Sequence, residues 1–530
     1  MLTPFGELPD HVARQMGMQE QHDWLTRRVS RRNVLSGTVL GASGLAVPAF
    51  WRQGSATRDP GLRGRHITFG ADPTTSMIVE FATMEPFRRA TVEMHKAGET
   101  IASSLVEVGT VRGSARRYCR ATFAGLRPDT AYRYHVVVDG RTVGTGPART
   151  AFTDRRPFRF TAFGDQGTGH VPRGILSRAR ALDPLLHLMC GDLCYADSSG
   201  LGGPGDTFRP RLWDAWLLQN EPVAGRIPWM SVPGNHEMEP GFGMHGYAGF
   251  LTRVSPGGAS PLQIPVATTF RVGSVGFIGL DSNDVSFEIP ANRGWTRGAQ
   301  TRWLEQTLSG LRQPNSGIDF IVAFMHHSPY STNNTHASEG GVLEEWVPLF
   351  DRYSVDLVIS GHNHCYERAR PLRGGSVVGS GVDQIDSARG TTYITAGGGG
   401  AGGEARFIPY PGKTRVAYAG VEDVVTQEWS MPSKTATPSV LSVDVKPATS
   451  SSAAQLEIRA LAADGRQLDA VRLTRGRPVS GSVGSDGWLI GGAAAAALLG
   501  GAGAGAVVLR RRRSSAVPPG AEAGTAAGSS

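Results

Sequence analysis

Hydrophobic and polar positions follow two different periods along this chain. Between residues 62 and 153, apolar and polar positions alternate in short runs at 77–81, 116–123 and 131–138, with turn residues such as Asp139-Gly140 between them. A period of two with turn punctuation predicts antiparallel strands, and a stretch of this length suits a sandwich. From Phe158 onward the runs become continuously apolar. Those at 158–163, 185–190, 229–232, 320–325 and 355–360 read as buried strands. Helical spacing fills gaps between them, as at 299–311 and 342–353, and further strands are expected at 275–280, 391–396, 440–445 and 455–460. Strands alternating with helices predict an α/β core over 157–475.

The ends of the chain carry different signals. Residues 1–56 read as an export signal and linker. Within them Ser30-Arg31-Arg32-Asn33-Val34-Leu35 resembles a twin-arginine export motif, and 34–49 is a weakly apolar stretch too short to span a bilayer. Val47-Pro48-Ala49 suits signal peptidase. After a linker at 476–487, residues 488–509 carry no charge over 22 positions, enough to cross ~30 Å of hydrocarbon. Arg510 to Arg513 follow at once and predict a transmembrane helix with its C-terminus in the cytoplasm. The tail, 510–530, is basic and rich in small residues, and is expected to be disordered.

Composition narrows the picture. With 40% hydrophobic and 19% charged residues the chain can bury a core, and four cysteines cannot make a disulfide scaffold. The net charge is +8, but the first 58 residues hold three of it and the segment beyond 477 holds two. The three that remain are too few for an electrostatic footprint on nucleic acid, so a nuclease is disfavoured.

The candidate chemistry sits where the strands end. Gly164-Asp165, Gly191-Asp192, Gly234-Asn235, His326-His327 and Gly361-His362 each follow an apolar run. In an α/β sheet that end is where sites are built. Asp165, Asp192, Tyr195, Asn235, His326, His362 and His364 offer carboxylate, phenol, amide and imidazole donors without a thiolate, which suits Fe, Zn or Mn. Seven donors exceed the needs of one four-coordinate ion, whereas two ions sharing a carboxylate use them all.

In order, Asp165-Gln166-Gly167, Gly191-Asp192-Leu193-Cys194-Tyr195, Gly234-Asn235-His236-Glu237, His326 and Gly361-His362-Asn363-His364 resemble the five motifs of the purple acid phosphatases, within the calcineurin-like metallophosphoesterases. The resemblance covers roughly 62–475. It implies an α/β metallophosphoesterase core with two packed mixed sheets flanked by helices, preceded by an all-β domain. Gly125 to Tyr134 also resembles the tyrosine corner of fibronectin type III sandwiches, and this domain is expected to act as a spacer or lid. Residue by residue, the resemblance assigns a first ion, Fe(III), to Asp165, Tyr195 and His364, with Asp192 bridging. It assigns a second ion, Zn, Mn or Fe(II), to Asp192, Asn235, His326 and His362. The fourth motif departs from the family's VxxH by having Ala323 at its first position. His327 is then an alternative ligand, although the spacing to Tyr330, His336 and Glu339-Gly340 favours His326. His236 and His336 are implied as outer-sphere groups that bind phosphate oxygens or protonate the leaving group, and Glu237 as a group that orients one of its neighbours.

The implied reaction is hydrolysis of a small phosphate monoester by hydroxide generated on the metal. The alternatives are a phosphodiesterase of the same fold and a surface binding protein that has lost catalysis. Neighbouring ligands would bring Cys194 near Cys365, so their pairing is left open, while Cys119 and Cys190 read as reduced core residues. The stretch 196–225, with Trp213 and Trp216, reads as a loop beside the pocket.

Overall fold

The computed structural model describes residues 61–197, 200, 208–239, 243–261, 263–333, 335–402, 405–408, 412–418, 421–425 and 428–476. The export signal, the 488–509 segment and the basic tail lie outside the described residues. Among the described residues no helix is long and apolar enough to cross a membrane.

The N-terminal region is all β, as its period of two demands. One four-stranded antiparallel sheet runs Arg63–Phe69, Met77–Thr83, Arg117–Phe123, Glu107–Thr110; the other runs Glu99–Leu105, Ala90–Lys96, Ala131–Val138, Arg141–Arg149. In Ala90–Lys96 the alternation puts Ala90, Val92 and Met94 inside and leaves Glu93 and His95 outward. The Tyr132 hydroxyl accepts from the Arg127 backbone N–H at 2.9 Å and pins the turn before its strand.

This domain packs against the α/β region. Tyr134 donates to the Gly225 carbonyl at 2.9 Å, and Glu221 takes Arg65 Nε at 2.6 Å and the Gly64 N–H at 2.8 Å. Both acceptors lie at the C-terminal end of the helix Arg211–Ala224. That helix replaces the loop expected at 196–225. Its Trp213 and Trp216 are buried in the core, because an apolar pair three residues apart lies on one face of a helix.

The α/β region packs two seven-stranded mixed sheets. The first runs Trp229–Val232, Leu186–Cys190, Phe158–Phe163, Ser439–Lys446, Ala454–Ala462, Gln467–Arg475, Gln384–Asp386. The second runs Thr268–Val272, Val275–Gly279, Phe320–Phe324, Leu357–Ser360, Thr392–Ala396, Tyr366–Ala369, Ser430–Thr435. The first three strands of the first sheet are parallel to one another, as are Val275–Gly279, Phe320–Phe324, Leu357–Ser360 and Thr392–Ala396 in the second. These parallel strands are buried on both faces, which explains their unbroken apolar runs. Between the sheets Phe160 meets Phe277 edge to face at 5.2 Å. The helix expected at 342–353 is two short helices, Gly340–Glu345 and Val347–Arg352, meeting at the buried Trp346. Pro348 is the cause: it has no N–H to continue the ladder and fits only in a first turn.

Candidate metal centre

The ends of the parallel strands meet in one place. The Asp165 N–H donates to the Gly191 carbonyl at 3.0 Å, the Gly361 N–H to the His326 carbonyl at 2.8 Å, and the Gly164 N–H to the Ala396 carbonyl at 2.9 Å. Such close approach requires the motif glycines. A Cβ on Gly234 would stand 2.1 Å from Asp192 Oδ1, and one on Gly361 would stand 2.5 Å from Asp165 Oδ2. The residues after the strands take sharp turns: Asp165, Asp192, Tyr195 and His362 all have left-handed φ, between 52° and 67°. Such backbone costs ~1–3 kcal/mol per residue and is typical of functional sites.

Six of the seven expected donors fall into two convergent groups. Around Asp165, the Tyr195 hydroxyl donates to Oδ1 at 3.2 Å and lies 2.9 Å from His364 Nε2, which is itself 3.4 Å from Asp165 Oδ1. Around His326, Nε2 lies 2.8 Å from Asn235 Oδ1 and 3.3 Å from Asp192 Oδ2. Ligand atoms of Asp165, Asp192 and His326 lie within 4.8 Å of one another, so the two groups adjoin. His362 is the seventh. Its backbone N–H donates to Asp165 Oδ2 at 2.8 Å, and its ring lies 5.1 Å from that of His326, but its Nε2 faces Glu288 Oε2 at 3.4 Å.

The two histidines of the fourth motif separate cleanly. His326 Nδ1 is held by the Cys190 carbonyl at 2.9 Å, which turns Nε2 to the cluster. His327 instead has Nδ1 2.8 Å from Ser282 Oγ and Nε2 2.8 Å from Glu288 Oε2, with its ring 4.6 Å from that of His362. The small Ala323 is fully buried in the strand and does not displace His326.

The electrostatics are those of a cation site. Burial opposes ionisation of His326, but Asp192 outweighs it and raises the imidazolium to about 10. Burial and Asp165 together push the Tyr195 phenol well above its ordinary value. The protein without metal thus balances its buried carboxylates with protons, and cations would replace them. Oxygen and imidazole donors without a thiolate fit a pair of hard or borderline ions. Burial and the surrounding imidazoles push His362 well below its usual value, so its ring is neutral.

His236 and His336 lie at the edge of the cluster. Asp197 Oδ1 accepts from His236 Nδ1 at 2.9 Å, and His236 Nε2 is 3.8 Å from Asp192 Oδ2. Burial opposes its charge, but Asp192 and Asp197 raise His236 well above its ordinary value. The His336 ring lies 4.1 Å from that of His362, and burial lowers its pKa.

Two further clusters of donors occur among the described residues: Glu288, His327 and His362, beside the centre, and Glu93, His95 and His135, which sits on the outer face of the sandwich. The imidazoles of His95 and His135 stack at 3.9 Å with planes only 24° apart, so their in-plane lone pairs cannot converge on one ion.

Comparison with known proteins fits this geometry. Residues 63–159 match the family model for the purple acid phosphatase N-terminal domain, and residues 167–366 match that for calcineurin-like phosphoesterases. An uncharacterized protein of Mycobacterium tuberculosis is 35% identical over 445 residues, covering 74% of this chain and 83% of that protein. Purple acid phosphatase 23 of Arabidopsis thaliana is 27% identical over 318 residues, covering 56% of this chain and 65% of that protein. The chain belongs to the purple acid phosphatase family. It is therefore a hydrolase of the metallophosphoesterase class. A solved purple acid phosphatase from yellow lupin seeds shares the fold, with a TM-score of 0.63 at 17% identity, covering 78% of this chain and 75% of that one.

Within this purple acid phosphatase fold, several supporting residues were not singled out from sequence. Glu237, whose target was open, accepts the backbone N–H groups of Asp192 at 2.7 Å, Leu193 at 2.8 Å and Gly234 at 2.8 Å. It thereby clamps two ligand loops, and burial together with the Asp192 charge raises its carboxyl to about 8. Gln166, next to Asp165, is held through Oε1 by the Trp216 indole N–H and through Nε2 by Asn220 Oδ1 at 2.8 Å. Asp197 and Glu288 are local in space but not in any motif used above. All four cysteines are buried free thiols, and Cys365 contacts Asn333 Nδ2 at 3.8 Å rather than pairing with Cys194.

Proposed function

We propose that this protein is an exported, membrane-anchored phosphatase that hydrolyses phosphate monoesters at a binuclear metal centre. Asp165, Tyr195 and His364 would hold a first ion, Fe(III), and Asn235, His326 and His362 a second, Zn, Mn or Fe(II), with Asp192 shared. The observation that supports the reading is that two convergent donor groups adjoin, with ligand atoms of Asp165, Asp192 and His326 within 4.8 Å of one another. The phenol beside Asp165 favours a trivalent ion, being a hard donor once ionised. When bound, the ions supply a nucleophile at ordinary pH and neutralise charge on the phosphoryl group.

The protein's own groups do the rest. Asp197 accepts from Nδ1–H and, with Asp192, keeps His236 as an imidazolium whose Nε2–H faces the cluster, so that His236 is the proton donor to the departing alkoxide. Neutral His336, its ring tilted against that of His362 at 4.1 Å, is placed to hydrogen-bond an ester oxygen. Export rests on Arg31-Arg32 and anchoring on residues 488–509. Replacing both arginines by lysine should leave the protein in the cytoplasm when cells are fractionated.

The test is turnover of a nitrophenyl monoester against the matching diester. Monoester preference with an Asp192→Asn variant at background supports the proposal. Diester preference replaces it with the phosphodiesterase reading, and turnover of neither by two-metal protein supports the binding-protein reading.

A further inference from the structure

Next to the second donor group lies a buried arrangement of Glu288, His327 and His362, of which only His362 is an assigned ligand. Glu288 follows the short 3-10 turn Ser282–Asp284, and its carboxylate sits between two imidazoles. Oε2 lies 2.8 Å from His327 Nε2 and 3.4 Å from His362 Nε2. Its side chain is only 18% exposed, His327 is fully buried and His362 nearly so.

The proton arrangement on this group follows from its partners. The His327 backbone N–H donates to Ser282 Oγ at 2.9 Å, and the Ser282 hydroxyl is 2.8 Å from His327 Nδ1. With its oxygen accepting from the backbone, the hydroxyl gives its hydrogen to Nδ1. His327 must then carry its proton on Nε2 and donate it to Glu288. The carboxylate is therefore fixed from one side by a buried side chain that Ser282 holds in turn.

His362 approaches the same oxygen from the other side. With Nε2 turned to Glu288, Nδ1 is the ring nitrogen left for an ion. A histidine ligand commonly gives its distal N–H to a carboxylate, which sets tautomer and ring direction and raises the basicity of the ligating nitrogen.

We propose that Glu288, anchored by His327 and Ser282, is the positioning residue of the second metal site and acts through His362. The proposal rests on the binuclear reading above. It also gives His327 a role: it is not a ligand but the brace of the carboxylate that aims one. The first ion should be indifferent to Glu288, because Tyr195, His364 and Asp165 contact one another without it.

The experiment is metal analysis of the purified full chain after dialysis against a graded chelator, in wild type, Glu288→Gln and Glu288→Asp. Loss of such an outer partner weakens metal affinity ~10–100-fold. Glu288→Gln should therefore lose one of two ions at a chelator concentration ~10–100-fold lower than wild type does. Its remaining ion and its melting temperature without metal should be unchanged. Glu288→Asp keeps the charge but is one methylene shorter, and should fall between them. Wild-type chelator resistance in Glu288→Gln overturns the proposal, and so does equal loss of both ions. If Glu288→Gln does not fold, wild-type resistance in Glu288→Asp overturns it instead. Wild-type protein that never holds two ions contradicts the binuclear reading itself, which separates the two failures.

Discussion

On the Asp165 side of the centre the donors close on one another, with Tyr195, His364 and Asp165 mutually within 3.4 Å. On the His326 side only Asn235, His326 and Asp192 converge, while His362 leans on Glu288. Support differs too. The first side is held through Gln166 by Trp216 and Asn220 of the helix that the β-sandwich braces. The second is held by Asn283, which gives Nδ2–H to the Gly234 carbonyl at 2.9 Å and also contacts Tyr247. One side is preformed by direct contact and the other by partners one layer out. A preformed site binds more tightly because less must be ordered on binding. The first ion should accordingly be the harder to remove.

Four experiments break or sharpen this contrast. The largest effect belongs to Asp192, which the proposal shares between the two ions. Asp192→Asn should lower monoester turnover by at least ~10³-fold, equivalent to ~4 kcal/mol of transition-state stabilisation, and leave fewer than two ions in metal analysis. Retention of two tightly held ions would remove Asp192 as the shared ligand.

Next comes Glu80, where the sandwich meets the catalytic region. Burial opposes its charge, but Arg120 and His66 pull its carboxyl from 4.5 down to about 2, and it accepts the Ser255 N–H at 3.1 Å. A depressed carboxylate contributes stability above its unfolded value that is lost as pH falls through its folded one. The loss should run from about pH 4.5 to about pH 2 and amount to ~3 kcal/mol. Denaturant melts of wild type and Glu80→Gln across that window check it, and the variant should lack this pH dependence.

Glu237→Gln comes third. One carboxylate oxygen becomes an amide N–H₂ facing a backbone N–H, at a cost of ~1–3 kcal/mol in unfolding free energy. Because Glu237 ties the Asp192 loop to the Gly234 loop, second-ion affinity should fall with it. The smallest effect is Trp216→Phe, which deletes the indole donor to Gln166 and should cost ~1 kcal/mol. It should weaken the first ion and not the second. Tyr132→Phe, at the turn of the sandwich, is the matched control: a similar stability loss with both ions unaffected.

Much of this was legible in the sequence because strand ends, unlike loops, are anchored by long apolar runs. The strands at 131–138, 158–163 and 229–232 begin and end where the apolar pattern does. Six donors were legible for the same reason, since each lies within a few residues of a strand end. Glu288 and Asp197 were not, because each is tied to its histidine only through space, across 39 residues in both pairs. The helix Arg211–Ala224 was obscured by glycines before it and by Pro222 within it. Burial of Trp213 and Trp216 overrides those local signals.

The central claim is that Tyr195 sits on a trivalent iron that shares Asp192 with a second ion. The visible spectrum of the purified protein, with metal analysis of the same sample, tests it directly. The account requires about two metals per chain, including iron, and an absorption band that is absent in Tyr195→Phe. A colourless wild type, or a band that survives in Tyr195→Phe, would contradict it.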